Sequence, residues 1–505
     1  MAFCDQDDQP HELPHELPRV QTRSGIVIGE NHGSVSSFKG IDYAVAPTGA
    51  LRWQPPRALP SKTNLVDARR FGPICPQPVS EEYPEADMSE DCLNLNIWTS
   101  DTRVTKPVMV WIHGGGFRGG SNRIKGEVLA AEGVVIVSLN YRLGVLGFFA
   151  HPLIKGPDFN FGLLDLIEGL RWVQNNISAF GGDPASVTVF GISAGAAAVN
   201  LLMAAEPARG LFHRAIAQSG YATWPLLRSR RAPVPAPANL LMKPADSAET
   251  EAETLADATG LDCSDLKAMR AIEAMHWVDV QTGFQLPIVD GSVVAEEPGI
   301  CFQAGNQHAV PYLSGGNSYE GTIMPSYQID PGVYEQAWRW FDPDWTRAYQ
   351  RDVQKSPNLA RKRLFGDERY LLSALVLADA MKLVGVRSWL YFIDFLPSTM
   401  TEPTAGTPHG LDSWLLFSAA EEGDQESAQL SRKIRHYWLN FARFGNPEGA
   451  GDGTGPETGP AWESYQQSGE WKRFANGDRV SMAELKQRLA MVLSRYEQRI
   501  KRLPA

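Results

Sequence analysis

Two hydrophobic periodicities alternate along the first half of this 505-residue chain. Residues 108–112 are apolar without a break and residues 134–139 almost so, which is typical of strands covered on both faces. Residues 161–180 carry apolar side chains at helical spacing and end at two glycines. A short apolar run at 187–190 and an Ala-, Leu- and Met-rich stretch at 194–205 continue the series. The alternation predicts an α/β fold with a parallel sheet and right-handed crossovers.

The second half of the chain is less regular. Residues 228–258 are rich in Pro, Ala and Glu, which indicates a surface excursion followed by helices. Apolar runs at 310–313 and 389–395 predict later core strands, and residues 482–502 have helical periodicity with charges of both signs outside. The Gly-rich residues 449–459 predict a mobile loop.

No linker divides the chain, so we expect a single domain with insertions over residues 21–505. Residues 1–20 are polar and Pro-rich, with a HELPHELP duplication, and predict a disordered arm. This arm has no basic segment followed by an apolar one, so no signal peptide is visible. We expect a cytoplasmic protein, or a periplasmic or secreted one if the numbering starts after a removed signal.

Composition excludes several classes of partner. The net charge of −11 argues against nucleic acid, which needs a basic face. No apolar run is long enough to span a bilayer, so no membrane partner is expected. The five cysteines show no metal-binding spacing, and neither a metal nor a cofactor is predicted. Nothing in the sequence indicates the oligomeric state.

The GISAG sequence at residues 191–195 fits the GxSxG pattern of a nucleophile elbow. The pattern alone is weak, because Gly, Ser and Ala are common, and a plain glycine-rich turn is the alternative. Here it lies directly between a predicted strand and the helix that starts at Ala194, which is the setting of a catalytic serine. Ser193 would then sit at a helix N-terminus, whose dipole favours a developing anion. We predict Ser193 as the nucleophile.

The HGGG sequence at residues 113–116 follows the predicted strand 108–112. Acyl transfer passes through an oxyanion, which needs backbone N–H groups aimed at one point. Gly115, Gly116 and Ala194 are the predicted donors. A phosphate-binding loop would need a following lysine, which is absent. HGGG and GxSxG in this order are far more specific together than either alone, and they are typical of α/β-hydrolases.

A serine nucleophile needs a base, usually histidine, which in this order of motifs comes after the acid. His409 lies in a loop beyond the predicted strand 389–395, where a catalytic side chain is expected. His213 is too close to the elbow helix, and His436 lies in a helix-like run.

For the acid, Glu320 follows the predicted strand 310–313 and is moderately preferred. Asp290, before a glycine in a predicted turn, and Asp394, inside a predicted strand, remain alternatives.

Longer motifs make the chain resemble the type-B carboxylesterases, the family that includes the cholinesterases. The matching sequences cover nearly the whole chain: FKGIDYA at 38–44, SEDCLNLNIW at 89–98, NYRLG at 140–144, FGGDP at 180–184 and FARFGNP at 441–447. The resemblance implies an α/β-hydrolase fold, with a large, mostly parallel sheet flanked by helices and helical insertions forming a gorge over the active site. It also implies a triad of Ser193, Glu320 and His409, from the family's GxNxxEG and PHGxD motifs, with Ser219 hydrogen-bonded to Glu320.

The same resemblance bears on cysteines and charges. Cys75 and Cys92 fall where the family has its first disulfide, although two unpaired thiols are the alternative. Arg52 and Glu90 fall where the family has a buried salt bridge, with two solvated charges as the alternative. The family's second disulfide is expected to be lost, because Cys263 has no near partner.

Departures from the family pattern concern the substrate. Ile192 replaces the glutamate that usually precedes the nucleophile, and the loop from Cys75 to Cys92 holds no Trp, so a choline ester is not expected. Phe117 and Arg118 follow the oxyanion glycines and, with Ile192, are the predicted pocket residues. Arg118 could bind an anionic group of the substrate, with a surface pairing to a local acid as the alternative.

The predicted function is hydrolysis of small-molecule carboxylic esters through an acyl-enzyme. An amidase or lactonase with the same machinery is an alternative, because only the leaving group and pocket differ. A non-catalytic, cholinesterase-like binding protein is another, since some relatives keep the fold without the chemistry.

Overall fold

The computed structural model describes residues 17–61, 64–232, 247–400, 405–418, 424–450, 461–477 and 479–501. Most of the predicted N-terminal arm, part of the excursion at 228–258 and most of the predicted loop at 449–459 lie outside the described residues. The first strand begins at Arg19, so the last two residues assigned to the arm are structured.

The strands in the described residues include every strand expected from the sequence. They are β1 (Arg19–Thr22), β2 (Gly25–Ile28), β3 (Glu30–His32), β4 (Val35–Asp42), β5 (Leu65–Asp67), β6 (Asn94–Thr99), β7 (Lys106–Ile112), β8 (Val135–Leu139), β9 (Gly182–Ile192), β10 (Arg214–Gln218), β11 (Leu227–Arg228), β12 (Ile288–Val289), β13 (Tyr312–Asn317), β14 (Ser388–Asp394) and β15 (Lys472–Ala475).

Ten of these strands form one central sheet, in the order β15-β14-β13-β10-β9-β7-β8-β6-β4-β3. The strands from β15 to β8 are parallel to one another, whereas β6, β4 and β3 pair in antiparallel fashion. Because β7, β9, β10, β13 and β14 are adjacent and parallel, their carboxyl ends meet at one edge of the sheet. A small sheet of β1, β2 and β5 and a pair of β11 and β12 are separate.

Helices cover both faces of the sheet. They are α1 (Glu127–Ala130), α2 (Gly144–Gly147), α3 (Phe161–Asn176), α4 (Ala194–Ala204), α5 (Ala248–Ala258), α6 (Leu266–Ala271), α7 (Ala274–Val280), α8 (Pro298–Gln303), α9 (Pro331–Phe341), α10 (Gln350–Lys355), α11 (Pro357–Gly366), α12 (Leu372–Ala380), α13 (Leu411–Phe417), α14 (Gln425–Phe444), α15 (Tyr465–Ser468) and α16 (Met482–Lys501). A π-helical turn, Asp367–Leu371, joins α11 to α12.

The boundaries of some predicted elements shift. The strand expected at 310–313 runs from Tyr312 to Asn317 instead, since Pro311 has no N–H to donate to a ladder. The helix expected at 161–180 ends at Asn176 and continues as a 3₁₀ turn to Phe180, where Gly181 takes a positive φ of 77°. The strand expected at 187–190 is longer, because β9 extends over both flanks to reach Ile192.

Apolar side chains fill the two spaces between the sheet and its helices. One cluster contains Val110, Leu166 and Leu202 from β7, α3 and α4, and a second contains Trp111, Leu415 and Trp438 from β7, α13 and α14. Alternate residues of β7 thus point to opposite layers, which explains why that strand is apolar throughout. Within the described residues, no helix combines the length and apolarity that crossing a membrane would need.

The covalent and ionic contacts implied by the resemblance are present. Cys75 and Cys92 form a disulfide with a Cα–Cα distance of 5.0 Å, whereas Cys263 and Cys301 are free thiols. Arg52 donates two hydrogen bonds, of 2.6 and 2.5 Å, to the Glu90 carboxylate. Arg52 is buried, so this ion pair is largely withdrawn from solvent.

Candidate active site

The turn between β9 and α4 carries Ser193 in a strained conformation. Its φ is 55° and its ψ is −119°, a backbone conformation that residues other than glycine rarely adopt. Its N–H donates to the carbonyl of Gln218 at 2.9 Å, which ties the turn to the end of β10. The side chain is therefore lifted above the sheet edge at the N-terminus of α4.

Glycines on both sides of Ser193 are required by packing. A Cβ on Gly195 would lie 2.0 Å from the carbonyl oxygen of Ile112, and one on Gly191 would lie 2.6 Å from the same oxygen. The turn therefore packs directly against the end of β7, where the HGGG sequence begins. This contact explains both glycines of the GxSxG pattern.

The glycine loop after β7 reaches the serine turn. A Cβ on Gly114 would lie 3.3 Å from the Cβ of Ser193. Gly115 and Gly116 have positive φ values of 102° and 63°, and a Cβ on Gly116 would overlap the ring of Phe284. Burial lowers the pKa of the preceding His113 to about 4, so its imidazole is neutral as it stacks on Tyr141.

The backbone N–H groups of Gly115, Gly116 and Ala194 share one property. None of them donates to another of the described residues. Because Gly114 touches Ser193 and Ala194 follows it, these amides lie on two segments that meet at the serine. Their arrangement is suited to an anion, which would supply the missing acceptor.

A buried carboxylate orients His409. Glu320 Oε2 lies 2.5 Å from His409 Nδ1, and Glu320 Oε1 accepts hydrogen bonds of 2.6 Å from Ser219 Oγ and from the Asn317 N–H. The side chain of Glu320 is fully buried and that of His409 is 10% exposed. The backbone N–H of His409 donates to Thr322 Oγ1 at 3.1 Å, which fixes the loop that carries His409.

The electrostatics of this pair favour a protonated imidazole. Burial alone would lower the pKa of His409, but the charge and hydrogen bond of Glu320 outweigh it, so the pKa is raised above its ordinary 6.5. Such an imidazole holds an accepted proton well, which suits a general base.

The alternative acids and bases serve other contacts. Asp290 accepts N–H groups of its own turn, at Ser292 and Val294, and Asp394 pairs with Arg473. His213 accepts from the Val187 N–H, and His436 contacts Asn440. Among the described residues, no cluster of three or more His, Cys, Asp or Glu side chains could hold a metal ion.

A second buried carboxylate, Asp412, was given no role by the motifs, although it is the last residue of PHGxD. Its Oδ2 accepts from Tyr391 Oη at 2.6 Å and lies 3.5 Å from Ser219 Oγ. Burial first, and then the charge of Glu320, raise the pKa of Asp412. Ser219 therefore lies between two carboxylates, a relation that only the fold reveals.

The three predicted pocket residues have different surroundings. Phe117 is fully buried, with its ring 5.2 Å from that of Phe148, so it belongs to the core behind the glycine loop. Ile192 is partly buried beside Ser193. Arg118 is partly buried, donates to the carbonyl of Gln281, and has no acidic partner among the described residues.

Comparison with known proteins identifies the family of the chain. Residues 16–492 match the sequence profile of the Carboxylesterase family. This chain belongs to that family. As a carboxylesterase family member it is a carboxylic-ester hydrolase with a small-molecule substrate, a conclusion that its relatives below support.

Relatives of this carboxylesterase cover almost its full length. It is 34% identical to the fumonisin B1 esterase of Sphingopyxis macrogoltabida, over 95% of this chain and 89% of that protein. It is 30% identical to acetylcholinesterase of Bungarus fasciatus, over 89% and 81% of the two chains, and 30% identical to carboxylesterase 5A of Felis catus, over 91% and 90%. The crystal structure of a Geobacillus stearothermophilus carboxylesterase aligns with a TM-score of 0.74 at 30% identity, covering 88% of this chain and 94% of that one. The α/β-hydrolase fold follows.

Proposed function

We propose that this carboxylesterase hydrolyses its esters through an acyl-enzyme on Ser193, with His409 as base and Glu320 as the acid that orients it. The observation that carries the proposal is the hydrogen-bonded series Ser219–Glu320–His409, whose links measure 2.6 and 2.5 Å. Ser219 follows Gln218, whose carbonyl accepts the N–H of Ser193, so the series begins next to a serine in a strained turn at the carboxyl edge of the sheet. This is the arrangement in which a weak hydroxyl nucleophile becomes reactive.

The reaction has two symmetric halves. Ser193 Oγ attacks the ester carbonyl while His409 takes its proton, and the oxyanion accepts N–H bonds from Gly115, Gly116 and Ala194. His409 then gives the proton to the leaving alcohol. Water, deprotonated by His409, attacks the acyl-enzyme and releases the acid. Glu320 stabilises the imidazolium at each stage, and Ser219 positions Glu320.

The substrate preference follows from the charges near Ser193. Ile192 offers an apolar contact and no negative charge next to the nucleophile, so choline esters are not the proposed substrates. Arg118 has no acidic partner among the described residues, which favours the role of binding an anionic group over a surface ion pair. Phe117 supports the glycine loop from the core and does not contact substrate.

The first test is hydrolysis of p-nitrophenyl acetate, butyrate and octanoate, measured as kcat/KM. Ser193→Ala should lower kcat/KM by at least about 10⁴-fold, because the nucleophile is removed. Ser36→Ala, a half-buried serine on β4, is the matched control and should retain the wild-type value. If wild type and Ser193→Ala are equally inert, a non-catalytic binding role gains support. If the wild type cleaves butyryl p-nitroanilide faster than the matching ester, an amidase is the better description.

The role of Arg118 has its own test. Arg118→Ala should lower kcat/KM about 10-fold or more for an anionic ester relative to a neutral ester of equal length. An equal loss on both substrates would show that Arg118 only supports the loop, through its contact with Gln281.

A further inference from the structure

A second cation near the proposed triad has no counter-charge among the described residues. Arg369 lies in the π-helical turn Asp367–Leu371 and is only 1% exposed. The two acids beside it in sequence are already bound: Asp367 pairs with Arg488 at 2.7 Å and Glu368 with Arg495 at 3.0 Å. A buried guanidinium stays protonated, and burying it without an anion destabilises the fold. An arginine at this position therefore needs a physical explanation.

Aromatic rings surround the Arg369 guanidinium. Its central carbon lies 3.9 Å from the ring centre of Tyr221, 4.6 Å from that of Trp224 and 5.1 Å from that of Tyr327. We name these three rings the aromatic cage. Cation–π attraction offsets part of the desolvation cost, but the cage carries no negative charge, since burial raises the pKa of the Tyr221 phenol well above its ordinary range.

The cage holds a surplus of hydrogen-bond donors. The nearest polar neighbours of the Arg369 guanidinium are the uncharged phenols of Tyr221 and Tyr327, with which it makes no hydrogen bond of good geometry, and Trp224 Nε1 has no partner among the described residues. Arginine and tryptophan can only donate, whereas a phenol both donates and accepts, so the two phenols offer the guanidinium oxygen atoms but no negative charge. A buried cation that lacks a negative partner and has ring donors beside it matches an acceptor-only anion. A carboxylate fits best, because its two oxygens match the guanidinium fork.

The cage borders the reacting atoms. Tyr370, next to Arg369, lies with its ring 4.8 Å from that of His409, and its hydroxyl is 2.9 Å from Tyr327 Oη. On the other side, the ring of Tyr327 lies 4.9 Å from that of Phe284, which packs against Gly116 in the glycine loop. The cage therefore spans the space between the base and the oxyanion amides. Trp224 and Tyr327 are only partly buried, so they form the wall through which a ligand group would enter.

We propose that Arg369, with Tyr221 and Trp224, binds a free carboxylate of the ester substrate. The proposal rests on ester hydrolysis at Ser193 and names its substrate class: esters that carry a carboxylate on the acyl or the alcohol part. The carboxylate accepts from the guanidinium fork and from the two ring donors, and so replaces the missing counter-charge. A neutral ester leaves these donors unpaired and binds less well.

Matched substrate pairs test this specificity. Mono-p-nitrophenyl glutarate against p-nitrophenyl valerate varies the charge of the acyl part, and 4-acetoxybenzoate against phenyl acetate varies that of the alcohol. The wild type should prefer the charged member of one pair, and Arg369→Met should reduce that preference about 100-fold. The pair that responds identifies which part of the substrate carries the carboxylate. A wild type that cleaves the neutral esters but prefers neither charged member overturns the proposal, while the proposed esterase function stands.

Arg495→Met is the matched control, because Arg495 is also a buried cation over an aromatic ring, 4.2 Å from Trp338, but is paired with Glu368. It should leave the charge preference unchanged and lower Tm, since it orphans a carboxylate. Arg369→Met should not lower Tm, since it removes an unpaired charge. If Arg118→Ala abolishes the preference and Arg369→Met does not, the carboxylate site belongs to Arg118 and the proposal is wrong.

A ligand measurement on the wild type is independent of how Arg369→Met folds. Glutarate should inhibit hydrolysis of p-nitrophenyl valerate competitively and raise Tm, whereas the neutral glutaramide should do neither. Arg369→Lys keeps the charge but not the fork, and should weaken glutarate inhibition about 10-fold. Equal inhibition by glutarate and glutaramide, or none by either, would contradict a carboxylate site.

Discussion

At the scale of single residues, the candidate site combines backbone strain with buried charge. Ser193 holds a positive φ of 55°, and Glu320 is fully buried next to the equally buried Asp412. Neighbouring groups accommodate both features: glycines make room for the strained turn, and hydrogen-bond donors stabilise the buried carboxylates. Strain and buried charge of this kind are typical of functional positions.

The charge of Glu320 leads to a prediction about pH. His409 must be neutral to accept a proton, and its pKa is raised above 6.5, so the acid limb of kcat/KM should fall above pH 6.5. Asp412→Asn removes a smaller raising charge and should move that limb modestly to lower pH. Glu320→Gln removes the larger raising charge and leaves burial opposed only by Asp412, so it should move the His409 titration, followed by NMR, further in the same direction. A shift to higher pH in either variant would mean that these carboxylates do not set the pKa of the base.

At the scale of elements, departures from regular structure carry the special residues. The π-helical turn between α11 and α12 holds Arg369, and π-turns are often found at functional sites. Its neighbours Asp367 and Glu368 are held by α16, through Arg488 and Arg495. The turn is thereby fixed from outside, and Arg369 is left facing the aromatic cage.

The loop closed by Cys75 and Cys92 is the element with a stability prediction. The cysteines are 17 residues apart, and closing a loop of this length stabilises a fold by about 3 kcal/mol. Cys75→Ala/Cys92→Ala should therefore lower the free energy of unfolding in urea by about 3 kcal/mol.

The controls for this prediction use the same chain. Reduction of the wild type should have the same effect as the double substitution, and Cys263→Ala, at a half-buried free thiol, should cost much less. Equal stability of the wild type and the double variant under oxidising conditions would show that the loop is already ordered without the bond.

At the scale of the whole molecule, the parallel sheet brings distant motifs together. β7 ends at the glycine loop, β9 ends one residue before Ser193 and β10 ends one residue before Ser219. β13 ends three residues before Glu320, and the loop after β14 carries His409. These five strands are adjacent in the sheet, so residues spread over more than 290 positions share one edge.

Most of the candidate site can be predicted from the sequence alone. The α/β class, the GxSxG turn, the glycine loop and the choice of His409 as the candidate base depend on local rules: hydrophobic periodicity, glycine at tight turns, and the order of motifs along the chain. Local reasoning does not separate Glu320 clearly from Asp290 and Asp394, because all three lie near predicted strands or turns. The structure separates them by their hydrogen bonds, since only Glu320 contacts His409.

Arg369 illustrates what only the tertiary structure decided. In sequence it follows Asp367 and Glu368 directly and looks like an ordinary surface charge beside its counter-charges. In the folded chain, both acids pair with arginines more than 120 positions away. Arg369 instead lies against aromatic rings from other segments. The local sequence pattern determines which residues can form tight turns, cover the sheet or act as a nucleophile, because those properties depend on near neighbours in the chain. The balance of buried charge depends on contacts between distant segments, so it emerges only when the chain is folded.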